Sequence, residues 1–222
     1  MIAAKKIDIQ EEKRTRKDEM KRVNDISSKV YFTSDQHFGH EGIIKFANRP
    51  YNHARDMDED MIQKWNKVVP IDGLTFVLGD IGFCNKNDIV DIYSRLNGRK
   101  ILIRGNHDSN YPNRVLMSIF EDIYDLLYTR IQDEETSKYV YMVLCHYPMF
   151  DWQGSFKGSW QLFGHIHTRE LTEFETLKTK LFSTQYDVGV DNNNFEPVSF
   201  RKIKDVMMSQ SKSTTFKKTN YY

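Results

Sequence analysis

Nine residues of this chain are of types that hold cations or move protons, and they fall in five tight groups: Asp35 with His37; Asp80; Asn106, His107 and Asp108; His146; and His165 with His167. Each group ends a run with strand character, at 30–34, 74–78, 100–103, 139–145 and 161–163. In layered α/β proteins, sites form where strand ends and their loops converge. Asp35 and His37 stand two apart, so an extended backbone would point both to one side; His165 and His167 repeat that spacing. The donors are a mixture of oxygen and nitrogen with no thiolate. That chemistry favours Mn, Fe or Zn over a Cys-rich zinc site or the all-oxygen shell of calcium.

Seven of the nine, Asp35, His37, Asp80, Asn106, His146, His165 and His167, are too many for one ion. They suit two, with the carboxylate of Asp80 shared. His107 is then left over, beside Asn106, as an imidazole able to protonate a leaving oxygen. Asp108 could fix its tautomer. Gly79, Gly105 and Gly164 each precede one of these residues, where a missing Cβ lets the chain turn sharply and a substrate come close.

The elements that must position these groups follow from the hydrophobic pattern. Strands at 30–34, 74–78 and 100–103 alternate with helices at 40–48, 54–69 and 88–97, the last with Asn87 as N-cap and Gly98 as its stop. That order implies parallel pairing through helical crossovers. Residues 121–131 and 139–145 read as a hairpin around 133–137. A Gly- and aromatic-rich loop runs from Tyr147 to Trp160, and strands at 161–163, 170–175 and 181–190 precede a helix at 198–208. A charged extension (1–29) and a polar basic tail (209–222) flank the central domain, 30–208.

Charge is unevenly spread. Residues 1–29 carry a net of +3 (nine basic, six acidic) and 201–222 a net of +5 (six, one). The body between is −7 (17 basic, 24 acidic), which suits cation binding better than unaided polyanion binding. Cys84 and Cys145 form no CxxC pair and read as small core residues of a reduced, cytoplasmic protein. No apolar run reaches the ~18 residues of a membrane span, and Met1-Ile2-Ala3-Ala4-Lys5-Lys6 lacks the continuous apolar stretch of a signal peptide, so secretion is not expected.

Together, Asp35-x-His37, Gly79-Asp80, Gly105-Asn106-His107-Asp108, His146 and Gly164-His165-x-His167 resemble the five-part signature of the calcineurin-like metallophosphoesterases, complete and in order over about residues 30–190. Phe38-Gly39-His40, Ile43-Ile44 and Arg49-Pro50 are similar to a small bacterial and phage-type branch of that family. The resemblance implies a four-layer α/β/β/α sandwich with two mixed sheets and a dimetal site at the strand ends. It implies one divalent ion held by Asp35, His37, Asp80 and His167, and a second by Asp80, Asn106, His146 and His165. Mn is favoured, with Fe, Zn or Ni as alternatives. The implied reaction is hydrolysis of phosphate esters by a hydroxide bridging the ions, with His107 as general acid and Asp108 behind it.

Two further residues are candidates for the substrate phosphate: His40, three positions past His37, and Arg49, whose alternative is a salt bridge. His53 reads as ordinary surface. The aromatics Tyr147, Phe150, Trp152, Phe156 and Trp160 are either loop packing or a wall on which a ring could stack. With no room for a large cap, an open site tilts the substrate towards phosphodiesters or nucleotides. Single-stranded nucleic acid is a further candidate through the basic ends. The competing reading is a catalytically silent binding protein on the same fold.

Overall fold

The computed structural model describes residues 21–22, 25–167 and 180–212. The strand expected at 170–175, most of the N-terminal extension and the tail beyond residue 212 lie outside them. Ten strands form two five-stranded sheets among the described residues. The first contains β2 (Val30–Thr33), β3 (Leu74–Val77), β4 (Arg99–Ile103) and β5 (Asp122–Tyr124), all parallel, with β10 (Val198–Ser199) antiparallel at the β2 edge. The second has the order β1 (Lys21–Arg22), β6 (Leu127–Gln132), β7 (Tyr139–Leu144), β8 (Trp160–Phe163) and β9 (Gln185–Asp187). There β6 and β7 are antiparallel and every other pair is parallel.

Period-two alternation sorts the side chains of these strands into two cores. Val30, Phe32, Phe76 and Ile101 of the first sheet meet Leu127, Ile131, Met142 and Leu162 of the second. The other face of the first sheet, with Val77 and Leu102, is covered by α1 (Glu41–Phe46), α2 (Ala54–Val68), α3 (Lys86–Ser94) and α4 (Asn113–Ile119). The helices α2 and α3 turn Met57, Met61, Trp65, Ile89, Ile92 and Tyr93 inward at helical spacing. A fifth helix, α5 (Phe200–Lys212), sets Phe200, Ile203 and Met207 into the core between the sheets. Trp152 and Phe182 pack the outer face of the second sheet around Val143. The architecture is the expected α/β sandwich of two mixed sheets.

Several boundaries differ from the sequence reading; the strand expected at 181–190, for one, is only β9, Gln185–Asp187. Asn85, not Asn87, caps α3, with its side chain accepting from the N–H groups of Asn87 and Asp88. The apolar stretch 121–131 is two strands in different sheets, joined at residues 125–126, so only its second half belongs to the hairpin. The terminal helix runs on to Lys212, because Gln210 donates to the carbonyls of Ser183 and Gln185 and so anchors its last turns. Among the described residues, no helix is long and apolar enough to cross a membrane.

Candidate metal centre

The C-terminal ends of β2, β3, β4, β7 and β8 meet at one edge of the sandwich. Backbone bonds lash them together: Asp35 N–H donates to Gly79 O, His37 N–H to Asp80 O, Gly164 N–H to His146 O, and Val190 N–H to Ser34 O. An isolated bridge between Ser34 and Gly189 ties the two sheets at this corner.

Two ligand groups result. Asp35, His37 and His167 form one, and Asp80, His146 and His165 the other; within each, the donor atoms lie within 4.8 Å of one another. Asp80 stands between them, its Oδ2 3.6 Å from His37 Nε2 and 3.4 Å from His146 Nε2. The Asn106 side-chain oxygen joins the second group, 3.1 Å from His146 Nε2. All seven residues read as ligands are thus brought to one place.

The way they are brought there differs from a continued strand. Asp35, His37, Asp80, His165 and His167 all have positive φ, between 43° and 72°. Five non-glycine residues in the left-handed region at one site are a strained set, of a kind that clusters where function requires it. The glycines give these turns room. A Cβ on Gly164 would lie 2.1 Å from Ser34 Oγ and 2.3 Å from Asp35 Oδ2, and one on Gly105 would lie 2.3 Å from Asp80 Oδ1.

The donor set fits cations on grounds of its own. His37 is 2% exposed and its Nε2 makes no hydrogen bond. Burial holds its pKa down at about 2, so this ring is a neutral imidazole with a free lone pair. Burial also pushes Asp35 up to about 7, against the pull of His167 and His146. A fully buried carboxylate that resists ionising is short of nearby positive charge, and a divalent ion supplies it. His146 Nδ1 lies 2.6 Å from Leu78 O, which assigns the proton there and turns Nε2 towards Asp80 and Asn106. Burial opposes the His146 charge, but Asp80 and Asp35 outweigh it and raise the pKa to about 9.

The supporting residues divide less evenly. The His107 side chain is 40% exposed, with Nε2 3.9 Å from Asp80 Oδ2, and its backbone N–H donates to Asp80 Oδ1. Asp108 does not stand behind that ring. Its buried carboxylate accepts the backbone N–H groups of Asp80, Ile81 and Gly105, and so clamps two ligand loops together. Arg49 is likewise committed elsewhere. It makes a two-pronged pair with Asp191 (2.8 Å each) and donates to the carbonyls of Asp35 and Gln36, which leaves it 4% exposed and unable to reach a phosphate. His40 does border the site, its Nδ1 3.3 Å from that of His37. His53 is exposed at the head of α2.

Asp191, which the motif pattern did not single out, accepts from His167 Nδ1 at 2.7 Å. This carboxylate–imidazole contact orients a ligand ring from behind. Burial would raise the Asp191 pKa, yet His167 and Arg49 bring it to about 2. Phe83 was also missed: it stacks on His40 at 4.1 Å and lies 4.6 Å from His107. Of the aromatics after His146, Tyr147 meets the rings of His146 and His165, whereas Trp152 is buried against Phe182 and Trp160 stacks on Phe200.

The protein MJ1445 of Methanocaldococcus jannaschii, which is uncharacterized, is 32% identical to this chain over 174 residues, spanning 77% of this chain and 86% of that protein. The chain belongs to the MJ1445 family. The gene 66 protein of Mycobacterium phage L5 is 25% identical over 186 residues, covering 74% of this chain and 87% of its own. The crystal structure of AQ665 from Aquifex aeolicus, a protein of unknown function, superposes on this MJ1445-family chain with a TM-score of 0.59. It is 25% identical, over 80% of this chain and 98% of that one. No protein-family model matches.

Proposed function

We propose that this chain is a metal-dependent phosphoesterase of the calcineurin-like type, acting on phosphodiesters or nucleotide-type esters. The observation that carries the reading is the pairing of two ligand groups around one carboxylate, Asp80, with the half-exposed imidazole of His107 beside it. Asp35, His37, Asp80 and His167 would hold one divalent ion, and Asp80, Asn106, His146 and His165 the other; Mn suits this donor set, as do Fe, Zn and Ni. Such ions would supply activation of water at neutral pH and charge to offset that on the phosphoryl oxygens.

The chain's own residues do the rest. His107 protonates the leaving oxygen from the solvent side, and its backbone bond to Asp80 keeps it at the edge of the site. His146 donates from Nδ1 to Leu78 O, which aims Nε2 at Asp80 and Asn106, where a bound cation would take the place of its proton. Asp191 fixes the His167 ring, and Asp108 holds the loops of Asp80 and Gly105 in register. His40 is placed to meet a substrate oxygen. The two free thiols, Cys84 and Cys145, suit a reducing cytoplasm.

Purified protein with Mn²⁺ should hydrolyse nitrophenyl mono- or diesters. Asp80→Asn should abolish turnover, and His107→Ala should lower kcat by about 10²–10⁴ with little change in metal content. Wild type that is as inert as His107→Ala across metals and ester classes would overturn this reading and leave a binding protein.

A further inference from the structure

Three aromatic side chains stand exposed against the rings of the metal centre. Phe46 is 76% exposed and meets His167 edge-on at 5.8 Å. Phe83 is 38% exposed and faces His37, His40 and His107. Tyr147 is 43% exposed and meets His146 and His165. They come from three different elements: the last residue of α1, the loop after β3 and the loop after β7.

Packing does not account for Phe46. The inward face of α1 is supplied by Ile43, Ile44 and Ala47, and Phe46 takes no part in either sheet-covering core. A wet phenyl ring forfeits the stabilisation that burial would give it. Exposed apolar surface of this kind marks a place where something else docks. Here it lies at the mouth of a site whose floor is polar and built for a phosphoryl group. A ligand matching both parts carries a phosphate for the floor and a flat, polarisable ring for the rim.

Resting on the phosphoesterase reading, we infer that the preferred substrates carry a nucleobase-like ring on the esterified group, held by Phe46, Phe83 and Tyr147 while the phosphate sits at the metal centre. The net −7 of residues 30–200 argues for a single nucleotide over a long polyanion, because overall repulsion grows with each added phosphate. Stacking supplies selectivity without reading base identity, since every base has a π-face.

The test pairs two Mn²⁺-dependent assays on the full chain: a nucleoside cyclic monophosphate, and cyclic glycerol phosphate, which has the same reacting group and no base. Wild type should prefer the nucleotide in kcat/KM by at least about tenfold, the worth of one stacked ring. Phe46→Ala should cut that preference about tenfold, mainly through KM, and Phe46→Trp should restore it. Ile71→Ala, at an exposed apolar residue before the N-terminal end of β3 and so at the opposite end of that strand from Asp80, should leave the preference unchanged. Equal turnover of both esters by wild type, insensitive to Phe46→Ala, would overturn this inference and leave the phosphoesterase reading standing. A single-stranded oligonucleotide cleaved far better per phosphate would overturn the nucleotide-sized substrate. Inertness towards every ester would overturn both readings.

Discussion

At the residue scale, the candidate centre depends on a buried pair set behind it. Asp191 faces His167 on one side and Arg49 on the other, and Arg49 in turn holds the carbonyls of Asp35 and Gln36. One buried ion pair thus sets a ligand imidazole and the backbone of a ligand loop. Truncating one partner of such a pair leaves the other charge stranded. Asp191→Ala should therefore cost about 3–5 kcal/mol in chemical denaturation. Asp191→Asn keeps an oxygen near His167 but loses the charge, and should weaken Mn²⁺ binding about 10–100-fold by calorimetry. Stability and metal affinity both unchanged in the Ala variant would refute this role. The candidate ligands were legible in the sequence because donor type and strand-end position repeat five times. Asp191 was not, because a lone acid 24 residues past His167 carries no local pattern. Arg49 was left open between phosphate and salt bridge, and only the fold could show that its guanidinium is already fully engaged.

At the scale of elements, the strand-to-loop junction is the unit that builds the site. Ligands two apart do not share a side because the strand continues. They converge because the junctions at Asp35/His37 and His165/His167, like the one at Asp80, turn left-handed at these residues themselves, with Gly164 and Gly105 making space beside them. Gly164 is the tightest case. Ser34 and Asp35 are both fully buried, and Ser34 Oγ donates to Leu78 O, so neither can retreat from an added Cβ. Gly164→Ala should cost about 1–3 kcal/mol and displace Asp35, lowering metal affinity in the same step. Gly158 is the control: it has φ +80° but open space around it, so Gly158→Ala should cost about 1 kcal/mol and leave metal binding unaltered. Equal metal affinity in both variants would mean that the close approach at Gly164 is not what seats Asp35. Strand and helix identities were read from periodicity, yet periodicity is blind to partners. It could not show that residues 121–131 leave one sheet and enter the other, and it passed over α4, whose seven residues bury only Leu116 fully.

At the scale of the whole molecule, ionisable groups sit inside a sandwich that has two apolar cores, and not all of them serve the site. Lys100 of β4 is 7% exposed, on the helix-covered side of the first sheet, with Nζ donating to Leu96 O and Gly98 O. Burial lowers its pKa from 10.5 to about 8. Two carbonyl bonds explain why a lysine is tolerated there, but the charged form remains disfavoured by desolvation. Between about pH 8 and 10.5 the unfolded chain binds more protons at this position than the folded one, so folding stability gains as pH rises through that window. Below pH 8 both states carry the charge, and the folded state bears the full desolvation penalty. Lys100→Met, which fills similar volume without a titrating group, should lack this gain. The difference in unfolding free energy between the two proteins should hold steady from pH 6 to about 8, then shift in favour of wild type up to about pH 10.5. Paired urea titrations across that range measure it directly, and parallel pH profiles for the two proteins would show that Lys100 is not desolvated in the way its surroundings require.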